Sequence, residues 1–286
     1  MIDLHTHILP GVDDGVKTMD DAVEFARVAS ADGVSTIVAT PHYRDGFFLN
    51  ARPEVLAGVE ALNTRLRTEK IPILVLPGAE IHISADLVAR VQSRHAPTLA
   101  DNGRTVLFEL SMMQYPVDLE NLVFQMRLAG LQVLFAHPER IRYFQDDIRR
   151  FEAVIRLGAF GQITTGSVTG VFGDDVVRFS EELARKQLVH VVASDAHNTR
   201  GRPPVLSSSM ARLGSWIGDA FARRMADEFP KAFIEGRDPD LSSRWSPPAP
   251  EVRSRAPAGR SETPGTHDTH AGRESSAAPR FPPPRR

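Results

Sequence analysis

The sequence contains no cysteine. That absence excludes disulfides, thiolate metal sites and a cysteine nucleophile, so any metal must be held by histidine and carboxylate, ligands that suit Mn, Fe or Zn. No stretch approaches the roughly 18 consecutive apolar residues of a membrane span, so membrane insertion is not expected. The start lacks the basic and then apolar run of a secretory leader, and a cytoplasmic protein is expected. No G-x-G-x-x-G or P-loop motif follows an apolar run, which removes the commonest reason to expect an open nucleotide-binding sheet. A basic stripe is missing as well. Residues 1–236 carry 25 Lys+Arg against 30 Asp+Glu, and no nucleic-acid partner is expected.

What is present divides into two regions. The chain has 286 residues, 42% hydrophobic and 24% charged, ample for a buried core. From Arg237 the last fifty residues hold ten of the 21 prolines and few apolar side chains. Such a segment cannot bury enough surface to offset its ordering entropy, so 237–286 is expected to be a disordered Pro/Ser/Arg-rich tail and 1–236 the folded domain. The closing "RFPPPRR" reads as an inert end rather than a polyproline II ligand, and His267 and His270 are given no role.

Within the body, short β-branched or apolar runs recur near 2–7, 35–40, 72–79, 105–110, 132–137, 160–164 and 189–194. Helical patterns lie between most of them. Thr18 is placed to cap the first, Asp20 and Asp21 suit its first turn, and Gly33 its end. Further helices fit 53–69, 118–130, 147–157, 174–187 and 204–228. Seven strands alternating with helices predict an α/β fold with parallel strands, either an open sheet or a closed barrel.

In such folds function gathers at the carboxyl ends of the strands. The first run ends in His5-Thr6-His7, the second in "TPH" with His42, the third in Glu80 and the fourth in Glu109. The fifth gives His137 and Arg140, and the seventh Asp195 and His197; the sixth gives only "TTGS". Taken singly, each residue reads as a solvated turn or a hydrogen-bonded structural histidine. Their recurrence at one end of successive strands points to a shared metal site, and the period of two puts His5 and His7 on one face of a strand. His82, His95 and His190 fall past the strand end, in a polar segment and at the opposite end, and are read as non-ligands. Asp14 follows the paired histidines in "DDG"; Asp13 beside it has no assignable role.

His5, His7, Asp14, His42, Glu80, Glu109, His137, Asp195 and His197 are more ligands than the three a single catalytic zinc needs. They fit two or three ions with a bridging carboxylate, an arrangement suited to phosphoryl transfer. Arg140 and Arg202 add an anion clamp, because guanidinium forks bind phosphate oxygens in bidentate fashion.

"DLHTHILPGVDDG", "TPHYR", "GAEI", "FEL", "AHPER" and "ASDAHNTRGRPP", in that order, resemble the polymerase and histidinol phosphatase (PHP) superfamily. More narrowly they resemble its manganese-dependent bacterial protein-tyrosine phosphatases of capsule and exopolysaccharide synthesis. The resemblance covers roughly residues 1–235. It implies a distorted (β/α)7 barrel with His5, His7, Glu80 and Asp195 on a first ion. Glu80 would bridge to a second, held by Glu109 and His137, with Asp14, His42 and His197 on a third. The implied cofactor is Mn²⁺, with Fe or Zn as substitutes. The implied substrate is a phosphotyrosine protein, typically the C-terminal tail of a tyrosine kinase controlling polysaccharide export. Arg140 and Arg202 would stabilise the transferring phosphoryl group, and His42 or His197 would serve the leaving oxygen. Three other readings stand beside this one: a histidinol or other small-molecule phosphatase, an amidohydrolase, and a non-catalytic metal-binding regulator. Amidohydrolases typically place a lysine at a strand end, where this chain has Glu80 and Glu109.

Overall fold

A computed structural model describes residues 1–242. The expected tail therefore lies outside the described residues from position 243 onward, together with His267, His270 and the closing proline run. Between Arg237 and Leu241 the chain still touches the body: the Gln132 amide donates to Asp238 Oδ1 at 2.6 Å, and Leu241 packs on the apolar core.

Ten strands are present among the described residues: β1 (Ile2–Thr6), β2 (Thr36–Ala39), β3 (His42–Arg44), β4 (Phe48–Leu49), β5 (Leu74–Pro77), β6 (Glu80–His82), β7 (Thr105–Glu109), β8 (Gln132–Ala136), β9 (Phe160–Thr164) and β10 (Val191–Ala193). Two of the expected strands, over 35–40 and 72–79, are each followed past a bend by a further short strand that the sequence did not predict, β3 after Thr40-Pro41 and β6 after Gly78-Ala79. Below the bends β1, β2 and β5 pair in parallel; above them β3 and β6 join β7, β8, β9 and β10, also in parallel. A parallel bridge from Thr6 to Ala196 and the bond from Asp195 N to His5 O (2.9 Å) close the ring beyond β10. The result is a distorted (β/α)7 barrel, with β3 and β4 forming an antiparallel hairpin on its rim. The bend at Gly78 has a steric reason. A Cβ there would lie 2.8 Å from Val38 Cγ1 and 3.3 Å from Ala39 O, so two strands cross too closely for any side chain.

The helices are α1 (Met19–Ala31), α2 (Arg52–Thr68), α3 (Leu87–Gln92), α4 (Leu119–Leu128), α5 (Arg142–Asp146), α6 (Ile148–Arg156), α7 (Thr165–Thr169), α8 (Asp174–Arg185), α9 (Ser207–Ile217), α10 (Asp219–Ala226) and α11 (Glu228–Ile234). Helix α1 starts as its sequence dictates: the Thr18 hydroxyl accepts from Asp21 N, and the Asp21 carboxylate accepts from Thr18 N. The single helix expected over 204–228 is instead α9 and α10, parted at Gly218 with φ of 80°. The chain turns there to wrap α10 and α11 under the barrel, where Phe221, Phe229 and Phe233 are buried.

Apolar burial falls into two clusters, a large one around most of the barrel wall and a smaller one where α1 and α2 cover β2 and β5. At the carboxyl end of the strands the interior changes character. His5, His7, Glu80, His137, Asp195 and His197 are all buried there. Buried ionisable groups are expensive unless paired or metal-bound, so that end is a site rather than packing.

Candidate metal centre

The first strand brings two imidazoles together because side chains alternate along it. His5 Nε2 and His7 Nε2 lie 3.4 Å apart. Glu80 Oε2 lies 3.4 Å from the first and 3.6 Å from the second, and Asp195 Oδ1 lies 3.4 Å from both. An ion bonded to nitrogen and oxygen at about 2.1 Å places tetrahedral neighbours about 3.4 Å apart, so these four donors have the spacing of a coordination sphere.

The other ring nitrogens show which atoms face that centre. His7 Nδ1 donates to the buried Asp13 carboxylate at 2.7 Å. His5 Nδ1 contacts Gln162 Oε1 at 2.9 Å. Gln162 Nε2 is spent on the Ile163 carbonyl, 2.9 Å away, which fixes the amide orientation and makes its oxygen the acceptor. Both Nδ1 atoms are therefore committed as donors, leaving Nε2 as the atom that takes a proton or a metal ion.

Glu80 is the hub. Its Oε2 faces His5 and His7 and accepts from His42 Nδ1 at 2.9 Å, while its Oε1 accepts from His137 Nε2 at 2.8 Å. One carboxylate thus turns its two oxygens toward different groups, as a bridging ligand does. Beyond it, His42, Glu80 and Glu109 form a second group with donor atoms within 4.8 Å of one another, and His7, Asp14, His42 and His197 form a third. Asp14 Oδ1 lies 3.4 Å from His42 Nε2 and 3.3 Å from His197 Nε2.

All nine residues expected as ligands meet at this end of the barrel. The exposed loop residue Asp14 reaches it because Gly15 lets the loop fold back onto β1. A Cβ at Gly15 would sit 2.1 Å from His7 O, and Gly15 N donates to Asp13 Oδ1 at 2.9 Å. His137 and Asp195 hold left-handed backbone, with φ of 37° and 53°. Strain of this kind collects where a functional group must be aimed.

Electrostatics follow the geometry. Burial would raise the Glu80 carboxyl, but His5, His137 and His42 hold it well below the usual range. Burial also opposes ionisation of Asp195, and His5, Arg140, His7 and Arg202 overcome it. The Asp14 carboxyl is pulled down by its hydrogen bonds to His197 and His42. Burial disfavours charge on His7 and His42, yet their carboxylate partners push them up to about 9 and about 11. His197 goes the other way, its imidazole pushed down by burial.

Both expected arginines line the cavity and share one partner. Arg140 Nη2 and Arg202 Nη2 donate to Asp195 Oδ2 at 2.7 and 2.5 Å. Arg140 Nε is buried with no hydrogen-bond partner, and its guanidinium rests 4.9 Å from the Phe172 ring centre. Two guanidiniums lining one cavity of about 260 Å³ favour an anion there. His42, His197, Glu80, Glu109 and Asp14 line the same cavity.

Three residues escape sequence reasoning. Asp13 reads as the first half of a turn, yet it also accepts from His42 N at 3.2 Å and so braces two imidazole-bearing segments. Gln162 lies mid-strand on the one strand whose end seemed empty. Glu139 is wholly buried, its Oε1 receiving Thr164 N, Thr164 Oγ1 and Ser167 Oγ. Of the histidines set aside, His82 donates to Glu109 Oε2 at 3.1 Å from the flank of the site. His95 lies against Tyr43 and His190 at the far end of the barrel, accepting from Gly161 N.

The chain is similar to several known proteins. The family profile of capsular polysaccharide synthesis proteins CpsB/CapC matches residues 1–235. The tyrosine-protein phosphatase YwqE of Bacillus subtilis is 39% identical over 202 residues, covering 71% of this chain and 79% of YwqE. The tyrosine-protein phosphatase CpsB of Streptococcus pneumoniae is 30% identical over 241 residues, covering 82% of this chain and 98% of CpsB. A crystal structure from the study of YwqE and CpsB as "unique metal-dependent tyrosine phosphatases" superposes with a TM-score of 0.80 at 34% identity, covering 84% of this chain and 96% of the other. The phosphotriesterase homology protein of Escherichia coli, 15% identical, shares the fold with a TM-score of 0.52 over 82% of this chain and 97% of that protein.

Proposed function

The chain belongs to the CpsB/CapC capsular polysaccharide synthesis family, and on that premise we propose how its site works and on what. It is a metal-dependent tyrosine-protein phosphatase, hydrolysing protein phosphotyrosine. In our reading His5, His7, Glu80 and Asp195 hold one ion, Glu80, Glu109 and His137 a second, and Asp14, His42 and His197 a third. Imidazole and carboxylate with no thiolate suit Mn²⁺, with Fe or Zn as substitutes. When bound, the ions supply Lewis-acid stabilisation of the phosphoryl oxygens and acidify water to a pKa of about 7.

The chain's own residues do the rest. Arg140 and Arg202, fixed by Asp195, present their remaining N–H groups to the phosphoryl oxygens and stabilise charge as the P–O bond breaks. Water attacks phosphorus opposite the phenolic oxygen. The P–O bond to the phenol breaks, and a phenolate, with a reference pKa near 10, leaves with little help, taking up through solvent the proton that the attacking water gives up. No phosphoenzyme is required, and the absent cysteine rules out the thiolate route.

The domain spans residues 1–236, with 237–286 appended to it. The substrate, in our reading, is a tyrosine kinase regulating capsular or exopolysaccharide synthesis in the cytoplasm. A phosphotyrosine on that kinase's C-terminal tail would enter the cavity of about 260 Å³ lined by both arginines. The observation that carries the reading is Glu80 set among four imidazoles beside two arginines that share Asp195. Phosphate release from a phosphotyrosine peptide, compared with histidinol phosphate under Mn²⁺ titration, tests it. The peptide is the expected substrate. Selective turnover of histidinol phosphate contradicts the substrate, and complete inactivity of the metal-loaded protein contradicts catalysis.

A further inference from the structure

Alongside its ionisable groups, the cavity has an apolar lining. The mouth is built by the β3–β4 hairpin and the segment after β7, which contribute Phe47, Phe48 and Met112. Phe48 is the inner residue: its ring stacks on His42 with centroids 5.9 Å apart and planes 17° from parallel. Phe47 is the outer one and is 71% exposed. The Arg44 guanidinium lies 4.4 Å from the Phe47 ring centre, so one face of the ring is covered by a cation.

The hairpin is tied down. Asp45 in its turn accepts from Arg90 Nη1 and Nη2 at 2.7 and 2.9 Å. The Asn50 amide at its end donates to the carbonyls of His42 and Val12, at 2.9 and 3.2 Å. A lone exposed phenylalanine needs no explanation. Two consecutive phenylalanines on an anchored hairpin line the same cavity as Met112 and the two arginines, and so offer a flat apolar group a receptacle next to an anion site.

We propose that Phe47, Phe48 and Met112 form an aryl subsite that selects phosphate esters of an aromatic alcohol. The inference rests on the phosphotyrosine reading above and names the residues that impose it. With the phosphoryl group on the floor, the ester oxygen points to the mouth, and a ring attached directly to that oxygen meets Phe48 first and Phe47 beyond it. Offset or edge-to-face contact with those rings rewards an aryl group beyond the area it buries. A serine ester carries no ring to make that contact and forgoes its reward.

The test uses the full chain loaded with Mn²⁺, a phosphotyrosine peptide as substrate and inorganic phosphate as inhibitor, since phosphate fills the floor but not the rim. Phe47→Ala and Phe48→Leu are each expected to raise KM for the peptide about threefold to tenfold, the range of one aromatic contact. The Ki for phosphate is expected to stay within about twofold, because arginine and metal contacts set it, and Phe47→Trp is expected to restore KM. If KM and Ki rise together, or if neither moves, the subsite is wrong. A wild type that releases phosphate from the peptide while both variants keep its KM contradicts the subsite alone. A wild type that releases none contradicts the phosphatase activity as well.

Discussion

Asp13 Oδ2 lies 2.7 Å from His7 Nδ1, and both groups are buried. This pair decides which nitrogen of His7 faces the site. A carboxylate behind an imidazole fixes the ring's tautomer and orientation and raises its basicity as a ligand. Removing it with Asp13→Ala is expected to weaken metal affinity about 10- to 100-fold. Isothermal titration with Mn²⁺ checks this, and unchanged affinity would show that Asp13 only closes the loop.

Gly15 is the steric counterpart of that pair. Any Cβ there meets the His7 carbonyl at 2.1 Å, so Gly15→Ala must push the Asp13-Asp14 loop off β1. A stability loss of about 1–3 kcal/mol is expected from the overpacking alone. Metal affinity should fall with it, because Asp14 travels on the same loop. Thermal unfolding with and without Mn²⁺ separates the two effects.

Arg140 and Arg202 converge on one carboxylate oxygen. Replacing either with alanine is expected to lower kcat by about 10²–10³, the usual loss for one donor to a developing oxyanion. Lysine should rescue poorly, because it cannot hold Asp195 and phosphate at once as a guanidinium fork does. Steady-state kinetics on a phosphotyrosine peptide decides it, with retained kcat in Arg140→Ala as the contrary result.

Far from the site, His190 is wholly buried and burial pushes its imidazole down to about 4. Its Nδ1 accepts from Gly161 N at 3.2 Å, so the folded protein holds it neutral. In the unfolded chain the same group takes a proton near pH 6.5. Its contribution is therefore complete above pH 6.5 and is lost as pH falls from there to about 4, on the order of 3 kcal/mol in all. Denaturant titrations across that range should show the decline, and an NMR titration should find His190 unprotonated at pH 5.5. Protonation near pH 6.5 in the folded state would contradict it.

The parallel α/β fold and a cluster of candidate ligands at one strand end were legible in the sequence because both follow from short periods, while closure into a barrel came only from the family resemblance. Side chains two apart on β1 share a face, and parallel strands deliver their carboxyl ends to one rim, so a shared site there could be expected before any coordinates; which residues group on which ion came only from the family resemblance. Residues that act across strands could not be read this way. His82 sits opposite Glu109 only because β6 and β7 pair in that register. Gln162 carries no charge and lies inside its strand, so its bond to His5 has no signature in spacing. Asp13 differs from Asp14 by one position in a turn, and only the fold sends one inward to His7 and the other outward to His42 and His197. The break at Gly218 was hidden by apolar periodicity that continues across it from α9 into α10.

The central claim is that buried imidazoles and carboxylates at one rim of the barrel hold ions needed to hydrolyse phosphotyrosine. The most direct measurement is phosphate release from a phosphotyrosine peptide by protein stripped with a chelator and then titrated with Mn²⁺. We predict no release from the stripped protein and recovery that saturates as Mn²⁺ is added. Undiminished release in excess chelator would contradict the account.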